Sequence, residues 1–440
     1  MTSFPLPDHR LPGLEPLLCG SLWVDWVASG RVFPVENLHA SIGYLRLKPE
    51  TSCRVTVIGT SGGKGDRPPE GFLLHLYPDR ERARTAFDKV LRREAVIGED
   101  GLTPFLDEDA CAVAAPFPND PELPSLRHVY DPTRFRRALS KTRPPQYPQG
   151  EWRLQKRHIR TELLAYKPGR RAVFRVRVGV RHAERDEKVR LYWHVKVGTP
   201  EVTAANDATS RWIAAAVGDG RDWRVPTPWG FSAERSWIST EWVLGNHLGA
   251  TPSLESVDTM RRVGHSLAEL HQLTGAEAAA ELSESLCFET EGASLVSLGD
   301  DLAHLLPQKS EMITALAAEL TRRLAPIQES PRSVVHGDFH RDQIVFDGDR
   351  VVLVDLDNAG LGVPILDLGA FLASGIAAGR PEEEGEAFLA GYAAVRDVGD
   401  RSLLSTAVAH QLFRRSIFPF RTLDPTWPTQ IATILARVES

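Results

Sequence analysis

The stretch "VVHGDFHRDQIVF", Val334–Phe346, decides how this chain is read. Two histidines, two aspartates, an arginine and a glutamine stand between two apolar runs. Polar and charged groups beside buried segments cost free energy unless they are paired or used. "SVVH" and "QIVF" read as short strands. The "DGD" of Asp347–Asp349 reads as a reversing turn, and "RVVLVD" (Arg350–Asp355) runs back. The hairpin brings Gln343, at the start of one strand, and Asp355, past the end of the other, to one point.

The chemistry that suits this pattern is phosphoryl transfer. Such a site needs a carboxylate to orient the attacking hydroxyl and oxygen ligands for a divalent cation that bridges phosphates. In kinase-like enzymes the base and an amide metal ligand lie five residues apart on one loop. Asp338 and Gln343 have that separation, and Asp355 supplies the second metal-binding carboxylate. A cation is then required on a strand of a β-rich lobe, and Lys196 in "WHVKVG" fits. "KPGRR", Lys167–Arg171, is placed to turn over the phosphates, with Lys167 and Gly169 as its contacts. "TEWVLGNHL" takes the place of a hinge that presents Glu241 and Val243 to a nucleotide base.

"HGDFHRDQIVF" followed by "LVDLDNAGLGVPILDLGAF" resembles the aminoglycoside phosphotransferase family over about 160–420. The resemblance implies an α+β, protein-kinase-like two-lobe fold that uses ATP and Mg²⁺ to phosphorylate a hydroxyl of a small molecule such as a sugar, amino sugar or aminoglycoside. It assigns Asp338 as catalytic base, Gln343 and Asp355 as Mg²⁺ ligands, and Lys196 as the phosphate-binding lysine. His336 is expected to hold the loop through a backbone bond, and Asp367 to support it from a helix start. The family usually has Asn where this chain has Gln343, and maltokinase-like relatives show Gln there. The acid that pairs with Lys196 is left open between Glu201 and Asp207. The alternative function is an inactive nucleotide-binding scaffold, against which Asp338, Asp355 and Lys196 stand together.

The 440 residues divide on this reading into a β-rich N-terminal cap (1–150), a nucleotide-binding lobe (151–245) and a helical lobe (246–440). The first 35 residues read as a proline-punctuated lead-in, and 101–150 as irregular, with "TRPPQYPQG" a linker. Helices are expected near 309–327, 365–378, 383–396, 402–417 and 428–438. Two segments match each other. "YLRLKPETSCRVTV" lies on "LLAYKPGRRAVFRVRV", and "FLLHLYPDRERARTAFD" on "LYWHVKVGTPEVTAAND", with His75 against His194. Where the second copy has Lys196 the first has Tyr77, so the cap reads as a copy that has lost the phosphate-binding charge.

A net charge of -6 argues against a nucleic-acid binder, but residues 151–200 carry 14 Lys/Arg against 5 Asp/Glu. That block is either a solvated strand face or a phosphate-attracting patch. Four distant cysteines (Cys19, Cys53, Cys111, Cys287) give neither zinc spacing nor a disulfide framework and read as buried thiols. With no signal-peptide pattern and no long apolar run, the expectation is a cytoplasmic protein with no membrane partner.

Other features point elsewhere and are weaker. "GDFH" also resembles a metallophosphoesterase block, but the later blocks are missing. His336, Asp338 and His340 are too crowded for zinc. "IGTSGGKGD" has Ile58 and Gly65 where a Walker loop needs Gly and Ser/Thr. "EEEGE" (Glu382–Glu386) is a solvated helix start or an attractor of cationic substrates. His271 reads as a packed helix residue. Arg414, Arg415 and Arg421 either lie on the surface or line the acceptor pocket.

Overall fold

The computed structural model describes residues 10–29, 38–61, 70–92, 103–251, 254, 256–273, 282 and 288–439. The Walker-like "IGTSGGKGD" and Cys287 fall partly or wholly outside them. The chain divides into two compact units. One comprises residues 1–203, 229–241 and 420–425, and the other 204–228, 242–419 and 426–440. Residues 1–150 and 151–203 thus share a unit, and one break follows Glu241.

The first unit holds two five-stranded sheets of the same plan. In the first, β1 (Leu38–Lys48), β2 (Ser52–Ser61) and β3 (Glu70–Leu76) are followed by the helix Arg80–Leu91, then β4 (Phe105–Asp107) and β5 (Ala112–Pro116). The strand order is β1-β2-β3-β5-β4. In the second, β6 (Trp152–Lys167), β7 (Arg171–His182) and β8 (Lys188–Gly198) are followed by the helix Pro200–Val217. After β9 (Trp223–Arg224), which joins another sheet, β10 (Pro228–Ser232) and β11 (Trp237–Glu241) complete the order β6-β7-β8-β11-β10.

The likeness extends to single residues. Both first hairpins turn at Lys-Pro followed by a residue with left-handed backbone, Glu50 (φ 58) and Gly169 (φ 67). Each turn closes with a 3.0 Å bond, Thr51 N–H to the Lys48 carbonyl and Arg170 N–H to the Lys167 carbonyl. Pro fixes the first central position of such a turn, and Gly is the residue that enters the second without strain. Arg54 stands opposite His75 and Arg175 opposite His194.

Strict alternation on β7 buries Ala172, Phe174, Val176, Val178 and Val180 on one face. That face is covered by the segment expected to be irregular. Leu123, Leu126 and Val129 pack on it, with Phe135 and Leu139 of the helix Pro132–Lys141. Asp131 caps this helix by accepting from Thr133 and Arg134 N–H, and Pro132 starts it. "TRPPQYPQG" is not a free linker either. The Thr142 carbonyl accepts from Trp193 Nε1 at 3.2 Å and Ser239 Oγ at 2.8 Å. The prolines misled because they stop strands and helices without stopping burial. The lead-in likewise contains helices Leu14–Leu18 and Ser21–Ala28. Cys53 and Cys111 are buried free thiols as expected, whereas Cys19 is exposed.

The second unit is helical, apart from small sheets. Its helices Ser310–Gln328, Pro364–Ala377, Glu382–Ala393, Arg401–Arg415 and Trp427–Glu439 lie where periodicity places them, and Phe288–Leu305 is an addition. The element order is that of an α+β, protein-kinase-like fold: three strands, a helix, two strands, then helices interrupted by one polar hairpin. No helix of the described residues is long and apolar enough to cross a membrane. Two helices of this unit touch backbone to backbone. A Cβ on Gly391 would lie 1.9 Å from the Arg261 carbonyl oxygen, and one on Gly264 would lie 2.0 Å from that of Phe388.

Gly391→Ala therefore tests the packing. Helix propensity alone gives a gain of about 1 kcal/mol. The crossing turns this into a loss of about 2 kcal/mol or more, read as a lower melting temperature in a thermal scan.

Candidate active site

The polar loop is delivered by β13 (Ser333–Val335), which pairs with β16 (Gly360–Gly362). Its N-terminal end is held by one carboxylate. Asp367, in the first turn of the helix Pro364–Ala377, accepts from His336 N–H at 2.6 Å and Gly337 N–H at 2.9 Å. The same Asp367 oxygen that takes the His336 amide lies 3.1 Å from His271 Nε2. His271 is fully buried, and burial holds its pKa below the ordinary value, so it is neutral. Its Nδ1 is 2.9 Å from the Tyr392 hydroxyl. One arrangement satisfies every group: Nε2–H donates to Asp367 and Nδ1 accepts from Tyr392. His336 does what the resemblance implied, its Nε2 bonding to the Val354 carbonyl at 2.9 Å. Gly337 has φ +78, which turns the chain sharply before Asp338.

The far end of the loop is pinned by Arg341. This buried guanidinium bonds Glu384 and lies 5.7 Å from the centre of the Phe371 ring, while Arg380 takes the other Glu384 oxygen at 2.8 Å. Burial opposes the Glu384 carboxylate, but hydrogen bonds from Arg380 and Arg341 win, and its pKa lies below the ordinary value. The middle of "EEEGE" is thus a buried anchor and neither a solvated face nor an attractor. Periodicity could not show this, because the partner is 43 residues away.

Between these anchors sits Asp338, its side chain about half exposed. His340 Nε2 is 3.9 Å from Asp338 and its Nδ1 3.5 Å from Asp342. Burial keeps His340 below its ordinary pKa against the pull of Asp338. The Gln343 amide nitrogen lies 3.1 Å from His340 Nε2. A neutral His340 with its proton on Nδ1 accepts there from the amide N–H, which turns the Gln343 oxygen away from it. β14 (Ile344–Asp347) and β15 (Arg350–Leu353) then pair with Ile344 opposite Leu353, and Val354 N–H donates to the Gln343 carbonyl at 2.9 Å. Gln343 and Asp355 therefore flank one end of the hairpin, as the sequence implied. Asp355 has left-handed backbone (φ 60, ψ 59). A non-glycine residue holds that conformation at a cost of about 1–2 kcal/mol.

"LGNHLG" lies directly on this hairpin. β12 (Asn246–His247) pairs with β14. A Cβ on Gly245 would fall 2.3 Å from the Phe346 carbonyl oxygen, and one on Gly249 would fall 2.1 Å from Asp342 Oδ1. The two glycines are the sequence signal for this contact.

The remaining expected residues lie as follows. Lys196 is buried on β8, opposite Val173 of β7 and Ile238 of β11. Asp207 pairs with Arg211 at 2.7 Å, and Glu201 is exposed. Lys167 ends β6. The Gly169 N–H, expected to face phosphates, donates to Asp120 at 2.7 Å, and the Tyr166 hydroxyl meets the same Asp120 oxygen. Glu241 ends β11, and Val243 lies in neither strand nor helix. Arg414 bonds Glu291 at 2.7 Å beside His410. Burial pushes the Arg415 guanidinium below its ordinary pKa, against the attraction of Asp338 and Asp342. Arg421 is half-buried.

No group of three His, Cys, Asp or Glu side chains among the described residues converges to hold a metal. Mg²⁺ asks for less, one or two carboxylates completed by phosphates and water, and the oxygens of Gln343 and Asp355 suit it.

A family model described as the phosphotransferase enzyme family matches residues 186–402. The match covers just under half of the chain and supports phosphoryl transfer to a small molecule. No curated protein matches the chain. Among solved structures it is similar to a macrolide 2'-phosphotransferase from Brachybacterium faecium (16% identity, 70% of this chain and 98% of that one, TM-score 0.43). It is similar also to a choline kinase from Streptococcus pneumoniae (13%, 70% and 99%, TM-score 0.48).

Asp367→Asn replaces an acceptor of three N–H groups with an amide that presents N–H to at least one of them. A loss of about 2–4 kcal/mol follows, read as a lower melting temperature. Acid should act in the same direction. Burial depresses His271, His340 and His410, so between their folded values and about 6.5 the unfolded chain binds more protons. Stability therefore rises with pH through that window and falls as pH drops below about 6.5, measurable by denaturant titration at several pH values.

Proposed function

We propose that this chain is an ATP- and Mg²⁺-dependent phosphotransferase acting on a hydroxyl of a small molecule, in the sugar, amino-sugar or aminoglycoside class. The observation that supports this most is the Asp338 loop. Its backbone is fixed by Asp367 and Arg341, its carboxylate is left half exposed, and two oxygen donors stand at the end of the hairpin that follows.

In this reading Asp338 accepts or orients the proton of the acceptor hydroxyl for in-line attack. Lys196 supplies a fixed positive charge for the nucleotide phosphates, and Glu241 and Val243 offer backbone groups to the base. Gln343 and Asp355 hold Mg²⁺, which when bound neutralises charge on the phosphates. Lys167 extends the positive field at the turn. The Gly169 amide is engaged by Asp120, so its part is steric, keeping the turn free of a side chain. His340 has a positioning part, since it decides which end of the Gln343 amide faces the cation.

The test is ATP turnover against a panel of sugars, amino sugars and aminoglycosides. Asp338→Ala should lower kcat about 10²–10⁴-fold with nucleotide affinity kept. Full activity in that variant would remove Asp338 as base. Gln343→Asn should keep much of the activity. Gln343→Ala and His340→Ala should both raise the Mg²⁺ concentration needed for half-maximal rate. Nucleotide binding without acceptor-stimulated turnover across the panel would favour the inactive scaffold.

A further inference from the structure

The two faces of the first sheet are filled differently. Val55, Leu74 and Ala114 stand opposite one another on one face and are fully buried. On the other face, Arg54 lines up with His75 and Val113, and Thr56 with Leu73 and Ala115. The helix Arg80–Leu91 covers this second face through Ala86, Phe87 and Val90, which pack with Leu73, Val113 and Ala115. The cover is incomplete. A cavity of about 1040 Å³ lies between the sheet, at Arg54, Leu73, His75 and Tyr77, and the helix, at Thr85 and Ala86. Tyr77 and His75 match Lys196 and His194 of the second sheet, so the cavity lies on the face where the matched strand has its lysine.

The sheet side of this cavity is polar without a free charge. Arg54 gives two bonds, of 2.9 and 3.0 Å, to Glu122. Burial lowers the His75 pKa to about 3, so its ring is neutral, and burial raises Tyr77 above its ordinary value. The Tyr77 hydroxyl lies 2.7 Å from His75 Nδ1. His75 Nε2 has no hydrogen-bond partner among the described residues. A neutral histidine carries one N–H. If the hydroxyl donates to Nδ1, the ring proton sits on Nε2 and that N–H is unspent. If Nδ1–H donates to the hydroxyl oxygen, the phenol O–H is unspent. Either way the pair keeps one donor in reserve. Such a group is costly to leave unmet, and the cost is recovered when an acceptor reaches it. Nothing in the Asp338 site uses it.

We infer that this cavity binds an uncharged small molecule that carries hydroxyl oxygens on a ring, a glycoside or a nucleoside. One ligand oxygen accepts from the reserve donor of the Tyr77–His75 pair. The ring lies against the apolar patch of Leu73, Val113 and Ala115, and other hydroxyls reach the rim, where Asp79 and Glu81 stand with Arg82 and Lys89. Few convergent polar groups over an apolar floor are the ordinary make-up of a small-molecule site, and the volume is at the upper end of such sites. Charge is selected against from within. An anion would have to draw Arg54 away from Glu122, and a tyrosine stands where the matched strand has Lys196. A cation meets a carboxylate on the sheet side only in the already paired Glu122. The cavity belongs wholly to the first unit, whereas Asp338 belongs to the second.

The probes are methyl α-D-glucopyranoside and adenosine, titrated into the full chain and followed by saturation-transfer NMR. At least one should bind and raise the melting temperature, and which one binds decides between glycoside and nucleoside. Ala86→Trp, which fills the cavity from the helix, should abolish that binding. His75→Leu with Tyr77→Phe removes both polar partners at once, leaves no orphaned group and keeps the fold, and should weaken binding about fivefold or more. Without probe, both proteins should melt within a few degrees of wild type, which separates lost binding from lost folding. Lys196→Ala with Asp338→Ala should leave the binding unchanged, so failure of the cavity and failure of the proposed active site are told apart. Absence of wild-type binding by both probes would overturn the inference. So would binding that Ala86→Trp leaves intact but Lys196→Ala with Asp338→Ala removes. Glucose 6-phosphate or adenosine monophosphate held in the cavity more tightly than its uncharged parent would overturn the uncharged class.

Discussion

The carboxylate of Asp367 is the point on which the second unit's site depends. Three N–H groups from two separate segments converge on it: the amides of His336 and Gly337 and the ring of His271. A buried carboxylate is tolerable only when its lone pairs are filled by good donors, and here they are. Through His271 the arrangement reaches Tyr392 on another helix. The loop's first two amides are thus fixed by a charge-assisted network tied to two helices. Arg341 does the same for the loop's far end with Glu384. A short loop anchored at both ends leaves Asp338 little choice of position, which is what positioning of a reacting hydroxyl demands.

The residues proposed to do chemistry and those that hold them differ in how far the sequence reveals them. Asp338, Gln343 and Asp355 stand out because their spacing around a short hairpin is local, and the register from Ile344 to Leu353 reproduces that spacing. The helices from Ser310 onward were legible for the same reason, since 3.6-residue periodicity is a property of neighbours in the chain. The holding residues were harder. Glu384 and Arg341 look like ordinary surface charges until the fold joins them, and Glu291 with His410 and Arg414 is the same case at a separation of 119 residues and more. The segment 117–150 failed for another reason. Its prolines speak for broken secondary structure, whereas burial depends on what the other side of the sheet lacks, and β6–β8 needed a cover.

The two sheets of the first unit share a plan that does not extend to every side chain. Strand order, the Lys-Pro turn, the left-handed residue after it and the Arg–His opposition are common to both sheets. The turn and its left-handed residue serve hairpin closure. The lysine on β8 is not shared, and its counterpart Tyr77 bonds His75 at 2.7 Å instead. At its turn, the second sheet is also tied to the segment that follows the first. Asp120 takes the amide of Gly169, and Arg54 bonds Glu122 at 2.9 and 3.0 Å beside it.

The bare crossing of the helices Val257–His271 and Glu382–Ala393 bears on how such a protein can diverge. Where side chains meet, a contact can be retuned by exchanging one volume for another. Where backbone meets backbone at Gly264 and Gly391, there is no volume to exchange. Substitution at this seam runs into a wall, and the helix pair carrying His271 and Tyr392 is constrained by backbone geometry. Sequence change in this unit is therefore easier where side chains meet than at this crossing.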